Sequence, residues 1–343
     1  MGTKETKASL ESCEWLNLDD LRDATVLITG GTGLVGFNLL QELARVKVSL
    51  NIRILALVRN TEKAQRVFAP FLNQVELVCG DVQEELTLSD SVDYIIHGAS
   101  ITSSKAFVEN PVETIMTSVM GVRNMLEFGR GKNIRAMVFL SSMEVYGTPK
   151  DDALLTEADV GYLNPLSIRS SYPESKRMSE SLCVAYAKEY GVPVKIARLA
   201  QTFGPGMQPG DKRAVVQFLQ SALNQKDIKV KASGESSRMY LYTFDAVSAL
   251  LTILLHGKDG AAYNVANKET YCSIRTLAET IVEVTGGNSR VLVNTGTEEE
   301  RRIYPPDSFL RLDTSKIEML GWCARYNLRE SIRDLMNYME EIS

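Results

Sequence analysis

The sequence predicts an α/β protein: a doubly wound parallel sheet with a smaller C-terminal α/β lobe. In the first half of the chain, short apolar and β-branched segments alternate with amphipathic helical segments. This alternation is typical of parallel strands that are buried on both faces and joined by helical crossovers. After about residue 199 the alternation weakens, and loops rich in Gly, Pro, Ser and Asp appear. Ligands of open α/β sheets bind outside the carboxyl ends of the strands, so we expect the second lobe to cover that edge.

The predicted elements follow in order along the chain. In the first half, strands are predicted at 25–30, 53–59, 75–80, 94–97, 137–141 and 194–199. Helices are predicted between them at 34–45, 111–130 and 172–190. The second half carries predicted helices at 214–224, 245–256, 273–285 and 328–342, and one strand at 263–266. Pro111 suits the first turn of its helix, where the missing N–H costs nothing.

The composition suits an ordinary globular protein and argues against several classes of function. The 343 residues carry a formal net charge of −5, so no strongly basic balance indicates nucleic acid as a partner. No apolar segment approaches the length of a membrane span, and the polar N-terminus lacks a signal-peptide core. We therefore expect a cytoplasmic protein without a membrane partner. The five cysteines form no CxxC pair and there are only two histidines, which argues against a metal site.

A glycine-rich loop follows the first predicted strand and leads directly into a helix. Its glycines at positions 30, 33 and 36 have separate uses: a tight turn, close approach of backbone N–H groups to a pyrophosphate, and close packing of helix on strand. The pattern therefore predicts a Rossmann domain that binds a dinucleotide. The predicted cofactor-binding residues of this loop are Gly30, Thr32, Gly33, Leu34, Val35 and Gly36.

The end of the second predicted strand bears on the choice between NAD and NADP. An acidic residue there would bind the ribose 2′-hydroxyl of NAD, but the chain has Arg59. A planar guanidinium suits a 2′-phosphate, so the sequence favours NADP and leaves NAD open. The alternative is an exposed arginine without a ligand. After the third strand, Asp81 and its neighbour Val82 are predicted to contact the adenine.

A Tyr-x-x-x-Lys pattern begins the third long helix. Tyr172 and Lys176 are four residues apart, so both side chains lie on one helix face. The ammonium can stabilise a tyrosinate and hold the nicotinamide ribose, while the tyrosine exchanges a proton with a substrate hydroxyl during hydride transfer. Ser142 and Glu144 come just upstream, at the end of a predicted strand, where active-site residues of such sheets lie.

These segments resemble the extended short-chain dehydrogenase/reductase superfamily, in its nucleotide-sugar epimerase, dehydratase and decarboxylase branch. The resemblance covers nearly the whole chain. The segments that match family motifs in order are TGGTGLVG, HGAS, the helix from Asn110 to Gly121, LSSMEVYG, YPESK, RLAQTFGP and the tail from Asp313 to Trp322.

The resemblance implies a role for each matching residue. Tyr172 matches the catalytic base, Lys176 its partner, Ser142 the hydroxyl that shares the substrate 4-hydroxyl proton, and Glu144 an acid/base or substrate ligand. It also implies contacts with the cofactor and with a nucleotide-diphosphate sugar. The residues that match these contacts are Ala99 for the cofactor, and Gln201 and Arg238 for the sugar nucleotide. A homodimer through the helices at 111–130 and 172–190 is a further family expectation.

The chain departs from the family pattern at three positions. Met143 stands where 4,6-dehydratases have an aspartic acid, and a thioether cannot donate the proton that expels a 6-hydroxyl. Ser118 replaces the usual asparagine of the central helix, so we expect a different proton relay. Arg59 replaces the acid that is usual in NAD-binding members.

The leading prediction is therefore a nucleotide-sugar oxidoreductase that acts by hydride transfer at C4 through a 4-keto intermediate. An epimerase and a UDP-glucuronate decarboxylase or dehydratase-like enzyme both fit this class. Two alternatives are an NADPH-dependent reductase of a keto-sugar or small carbonyl, and a non-catalytic dinucleotide-sensing protein. For the domains, we predict an N-terminal arm at 1–22, the Rossmann domain at 23–200 and the substrate lobe at 201–343, with 244–266 returning to the Rossmann sheet.

Overall fold

The computed structural model describes residues 9–149, 152–297 and 307–342. Among these residues, seven parallel strands form the main sheet, numbered here along the chain. They are β1 Thr25–Thr29, β2 Arg53–Val58, β3 Glu76–Cys79, β4 Tyr94–His97, β5 Ala136–Ser142, β7 Val194–Leu199 and β11 Ala262–Val265. Their order across the sheet is β3-β2-β1-β4-β5-β7-β11. The order reverses between β1 and β4, which creates the crevice where such sheets bind ligands.

The predicted helices are present, most with ends shifted by a few residues, and the described residues add three short helices that the sequence did not predict. The helices are α1 Leu34–Leu50, α2 Thr61–Val67, α3 Ser104–Glu109, α4 Pro111–Lys132, α5 Ser171–Tyr190, α6 Ala214–Leu223, α7 Thr243–His256, α8 Ile274–Thr285, α9 Ser315–Glu318 and α10 Leu328–Ile342. The predicted α/β Rossmann fold is thus confirmed. No helix among these is long and apolar enough to cross a membrane.

Alternation along the strands explains why the main sheet is apolar on both faces. In β1, Val26 and Ile28 pack in the layer that contains α1 and α7, while Leu27 packs in the layer that contains α4 and α5. Successive strand side chains point to opposite faces, so a strand covered on both sides reads as a continuous apolar run. The two helical layers hold the carboxyl ends of β1, β4 and β5 at one edge.

A second sheet forms most of the smaller lobe. Its strands are β6 Leu154–Leu155, β8 Gln201–Phe203, β10 Ser237–Tyr242, β12 Asn267–Ser273 and β14 Phe309–Leu312, while β9 Ile228–Lys229 pairs with β13 Val291–Leu292. The chain passes from β7 of the main sheet to β8 of this sheet through Ala200 alone. It returns through α7 and β11, since β11 pairs with β7.

The described part of the predicted N-terminal arm packs onto the body of the protein. Leu10, Cys13 and Leu21 are buried in the same apolar cluster as Trp322. Arg325 adds polar contacts, because its guanidinium donates to the Ser12 hydroxyl at 2.7 Å and to the Ser12 carbonyl. Residues 1–8 of the predicted arm lie outside the described residues.

Candidate active site

The glycine loop between β1 and α1 forms a close-packed backbone cradle. Gly30 has a φ of +75°, and a Cβ on it would lie 2.5 Å from the Gly98 carbonyl carbon. A Cβ on Gly36 would lie 2.3 Å from the Gly30 carbonyl oxygen. Gly33 is the exposed N-cap of α1, and its N–H donates to Gly30 O at 3.0 Å. A backbone this free of side chains at a helix N-terminus fits the pyrophosphate of a dinucleotide.

The other predicted residues of the loop lie at its opening. Thr32, Leu34 and Val35 are half-buried beside exposed Gly33. Ala99 adjoins the loop from β4: its N–H donates to the Thr29 hydroxyl at 3.1 Å. The cradle therefore collects the predicted loop residues and Ala99 at the carboxyl ends of β1 and β4.

His97 is buried at the carboxyl end of β4 and connects it to β1. Its Nδ1 lies 2.7 Å from the Thr29 hydroxyl, and its ring is stacked on Phe139 at 5.9 Å. Burial, together with the smaller effect of the nearby Lys176 charge, lowers the pKa of His97 to about 3. The imidazole is therefore neutral near pH 7 and serves packing and positioning.

Arg59 and Asp81 come together at the ends of β2 and β3. The Arg59 Nη1 lies 3.5 Å from the Asp81 Oδ2, and 61% of the Arg59 side chain is exposed. Asp81 also accepts a hydrogen bond from the Gln83 N–H at 3.0 Å. Val82 differs from its two neighbours: its side chain is buried against α4, and its carbonyl accepts from Asn124 at 3.0 Å. The predicted adenine contact of Val82 is thus restricted to its main chain.

The Tyr172–Lys176 pair is buried at the start of α5, as the i,i+4 spacing predicts. The Lys176 Nζ donates to the Leu140 carbonyl at 2.8 Å and lies 5.8 Å from the centre of the Tyr172 ring. Burial lowers the pKa of Lys176 to about 8, and the Glu180 charge opposes this effect. Lys176 is therefore mostly protonated at pH 7, so a positive charge lies beside the tyrosine.

Ser142 and Glu144 complete the group around the tyrosine hydroxyl. Ser142 ends β5, and its Oγ accepts a hydrogen bond from the Glu144 N–H at 3.2 Å. Burial raises the pKa of Tyr172 well above its usual range and the Glu144 charge raises it further, whereas a hydrogen bond from Ser142 and the Arg169 charge lower it. A tyrosine with these neighbours can exchange a proton with a hydroxyl when a cation stabilises its anion.

Arg169 belongs to the site, although the sequence analysis did not predict it. Its Nη2 donates to the Glu144 Oε2 at 2.9 Å. Its guanidinium lies 4.8 Å from the centre of the Phe107 ring, which in turn is stacked on Tyr172 at 4.3 Å with 8° between the planes. The only signal in the sequence is a basic residue three positions before the tyrosine, and its partners are far away along the chain.

Two of the three departures from the family pattern have structural consequences here. Met143 is buried in an apolar cluster, in a turn that follows β5, so its side chain is directed into the core. The Ser118 hydroxyl lies 3.2 Å from the Ser179 hydroxyl and links α4 to α5. Lys176 donates to the Leu140 carbonyl of β5, and a different proton relay stays a prediction.

The predicted substrate residues Gln201 and Arg238 lie on the second sheet, and Gln201 follows Leu199, the partner of Ser142 in the main sheet, by two residues. Gln201 begins β8 and is paired with Tyr240 of β10. Among the described residues, the buried Nε of Arg238 and the buried hydroxyl of Tyr240 have no hydrogen-bond partner. Unpaired buried polar groups two residues apart on one strand suit a polar ligand.

A parallel sheet with a backbone cradle at its switch point, and a buried Tyr–Lys pair beside it, defines a dinucleotide-dependent oxidoreductase of the short-chain type. A model of the NAD dependent epimerase/dehydratase family matches residues 26–266. The chain belongs to this family.

Curated relatives and solved structures agree with the family. The chain is 32% identical to UDP-glucuronic acid decarboxylase 1 of Xenopus tropicalis, over 92% of this chain and 72% of that protein. It is 33% identical to UDP-glucuronic acid decarboxylase 5 of Arabidopsis thaliana, over 90% of this chain and 86% of that protein.

Two solved structures share the fold. One is the epimerase Mth375 of Methanothermobacter thermautotrophicus, with a TM-score of 0.80, 24% identity and 94% of each chain covered. The other is the UDP-glucuronic acid 4-epimerase of Bacillus cereus in complex with UDP-glucuronic acid and NAD, with a TM-score of 0.75, 18% identity, and 93% of this chain and 100% of that chain covered.

The comparisons confirm the family and the enzyme class predicted from the sequence. The relatives named UDP-glucuronic acid decarboxylase agree with the predicted class of nucleotide-sugar oxidoreductase. The family description gives NAD dependence; the preference for NADP stays a prediction, as do the individual site residues.

Proposed function

We propose that the chain is a decarboxylase of a UDP-linked glucuronic acid. The observation that carries the proposal is Glu144, held beside Ser142 and Tyr172 by Arg169 while Met143 is directed into the core. The site thus has the acid/base group at Glu144 but lacks the acid that 4,6-dehydration needs at position 143. Identity of 31–33% to UDP-glucuronic acid decarboxylases supports this choice over an epimerase.

The residues divide the work as follows. Gly30, Gly33 and Gly36 would hold the pyrophosphate, and Lys176 the nicotinamide ribose. When bound, the oxidised nicotinamide would supply the hydride acceptor for sugar C4. Tyr172 takes the proton of the 4-hydroxyl, assisted by Ser142 and by the charge of Lys176.

Glu144 acts at the next carbon. A ketone at C4 is β to the C6 carboxylate, so the C5–C6 bond breaks, its electron pair passes into the C5–C4–O enolate and CO₂ leaves. Glu144 then passes to C5 a proton taken up from water, which replaces the lost carboxylate, and Tyr172 returns its proton to the C4 oxygen as the hydride removed earlier returns to C4. The product is a UDP-linked pentose.

The second lobe would hold the nucleotide. We propose that Arg238 binds the diphosphate and that Gln201 contacts the sugar nucleotide. The unpaired buried Nε of Arg238 supports this role, because a guanidinium suits phosphate oxygens. We also propose that the N-terminal arm ends at residue 22 and that the Rossmann domain ends at residue 200.

The decisive test is a product assay with purified protein. Incubation with UDP-glucuronate should release CO₂ and form a UDP-pentose. In a separate measurement, denaturation releases the bound cofactor, which is then identified by its mass. Epimerisation of UDP-glucuronate without CO₂ would establish the epimerase alternative instead. Consumption of NADPH by a keto-sugar, with no reaction of UDP-glucuronate, would establish the reductase alternative.

Cofactor choice depends on Arg59 in this proposal. Its exposed guanidinium at the end of β2 favours a 2′-phosphate, so we propose that the site accepts NADP. Arg59→Asp should shift the ratio of NADP to NAD affinity toward NAD by roughly 10- to 100-fold, since it replaces a charge-assisted bond by repulsion. Equilibrium titration with both dinucleotides measures this ratio. Arg66→Asp, in α2, is the matched charge control; an unchanged ratio in Arg59→Asp would mean that Arg59 binds no phosphate.

We also propose that two copies pair through α4 and α5. Both helices expose large apolar side chains, among them Val112 at 72%, Met178 at 55% and Val184 at 47%. Such an exposed set indicates an interface. Light scattering in solution should give twice the chain mass of 38.0 kDa, and the single-chain mass would contradict the proposal.

A cytoplasmic location stays a proposal that cell fractionation can test.

A further inference from the structure

Four side chains beside the tyrosine are joined in a series of contacts that ends on its ring. The Ser142 hydroxyl accepts a hydrogen bond from the Glu144 N–H at 3.2 Å, and it lies close enough to Tyr172 to lower the pKa of the phenol. Glu144 accepts from Arg169, Arg169 packs on Phe107, and Phe107 is stacked on Tyr172. Arg169 is the residue that links Glu144 to the stacked pair of Phe107 and Tyr172.

The local structure holds Arg169 in this place. It lies in a short helical turn, Ile168–Ser170, directly before α5. The next residue, Ser171, is buried and its hydroxyl donates to the Phe107 carbonyl at 2.8 Å, which ties this turn to α3. This hydrogen bond fixes the backbone that carries Arg169 relative to the backbone that carries Phe107.

Arg169 keeps unused hydrogen-bonding capacity. A guanidinium has five N–H donors in a planar fork. Within the part of the chain that the structure describes, its one hydrogen bond is the contact from Nη2 to Glu144. The Arg169 side chain is 44% exposed, while that of Glu144 is 32% exposed. A cation with free donors thus borders the open side of a carboxylate.

A uronic acid substrate would bring a second carboxylate to this place. In the proposed function, Glu144 acts at C5, the carbon that bears the C6 carboxylate. Two carboxylates at one site repel each other unless a cation lies between them. A neutral hexose has a hydroxymethyl group there and needs no cation.

We propose that Arg169 is the specificity residue for a uronic acid: its guanidinium holds Glu144 and binds the C6 carboxylate of the substrate. This inference rests on the proposed function for the position of C5. It assigns Arg169 to substrate selection and positioning, and leaves proton transfer to Tyr172 and Glu144. Loss of CO₂ removes the second carboxylate, so the neutral pentose product loses this contact and leaves more easily than the substrate.

The test compares binding of UDP-glucuronate and UDP-glucose to the full chain by calorimetry. In Arg169→Gln, affinity for UDP-glucuronate should fall roughly 10- to 100-fold, the effect of losing a charge-assisted hydrogen bond, while affinity for UDP-glucose stays within about twofold. Arg169→Lys keeps the charge without the fork and should restore part of the preference. Arg290→Gln is the matched control, because Arg290 pairs with Asp227 at 2.7 Å on the surface of the second lobe.

The outcomes separate this inference from the proposed function. An equal loss for both ligands, or no loss for UDP-glucuronate, overturns the role of Arg169 even if the wild type releases CO₂. A wild type that prefers UDP-glucuronate in an Arg169-dependent way without releasing CO₂ overturns the decarboxylase proposal alone. If Arg169→Gln fails to fold, the same ligand comparison in Arg169→Lys decides: a loss confined to UDP-glucuronate supports the role, and unchanged selectivity overturns it.

Discussion

Tyr172→Phe is expected to lower turnover by roughly 10²- to 10⁴-fold, the usual contribution of a positioned acid/base. The substitution removes only the hydroxyl. The ring can keep its stacking on Phe107 at 4.3 Å, and Lys176 keeps its bond to the Leu140 carbonyl at 2.8 Å. Dinucleotide affinity should therefore change little.

Steady-state turnover and dinucleotide titration measure the two halves of this expectation. Tyr190→Phe is the control: it removes a tyrosine hydroxyl at the other end of α5, where the ring lies under Arg130 at 4.0 Å. Turnover of Tyr172→Phe close to that of Tyr190→Phe would remove Tyr172 from the chemistry.

Gly36→Ala is expected to abolish dinucleotide binding and to destabilise the fold by roughly 1–3 kcal/mol or more, as overpacking does. The new Cβ would lie 2.3 Å from Gly30 O and 2.8 Å from the Gly31 Cα. Both neighbours are backbone atoms, so the strain can be relieved only by moving α1 away from the cradle. Urea unfolding gives the free energy, and equilibrium titration gives the affinity.

Gly131→Ala supplies the contrast, because it also lies within a helix. A Cβ at Gly131 meets nothing within 4 Å. The better helix propensity of alanine should stabilise this variant by about 0.4–1 kcal/mol. Equal effects of the two substitutions would mean that close packing at Gly36 does not shape the cofactor site.

The sequence is sufficient wherever a feature depends on neighbours along the chain. The strand, loop and helix that carry Gly30 and Gly36 are contiguous, and the i,i+4 spacing by itself places Tyr172 and Lys176 on one helix face. Repeated alternation of apolar and amphipathic segments predicts the parallel strands and the helices between them. Element ends differ by a few residues, since fraying ends are set by tertiary contacts.

The sequence is insufficient where a feature depends on distant partners. Arg169 acquires its place through Phe107 and through Glu144, which lies 25 residues away in sequence. The contact of Val82 with the adenine stays a prediction, and only the structure shows that its side chain is buried against α4. Residue spacing does not determine the direction of a side chain that follows the end of a strand. The burial of Met143 therefore could not be predicted from the sequence.

Because only one residue separates β7 from β8, the two sheets have little freedom to move relative to each other at this point. Ala200 is buried, and its N–H donates to Val265 O at 2.9 Å, so this peptide unit is clamped on the main-sheet side. If β8 moves, either the backbone dihedral angles of Ala200 must change or β7 must move with it. There Arg198 pairs with Glu180 of α5 at 2.7 Å. A shift of the second sheet is therefore transmitted through Ala200 and β7 to α5, the helix that carries Tyr172 and Lys176.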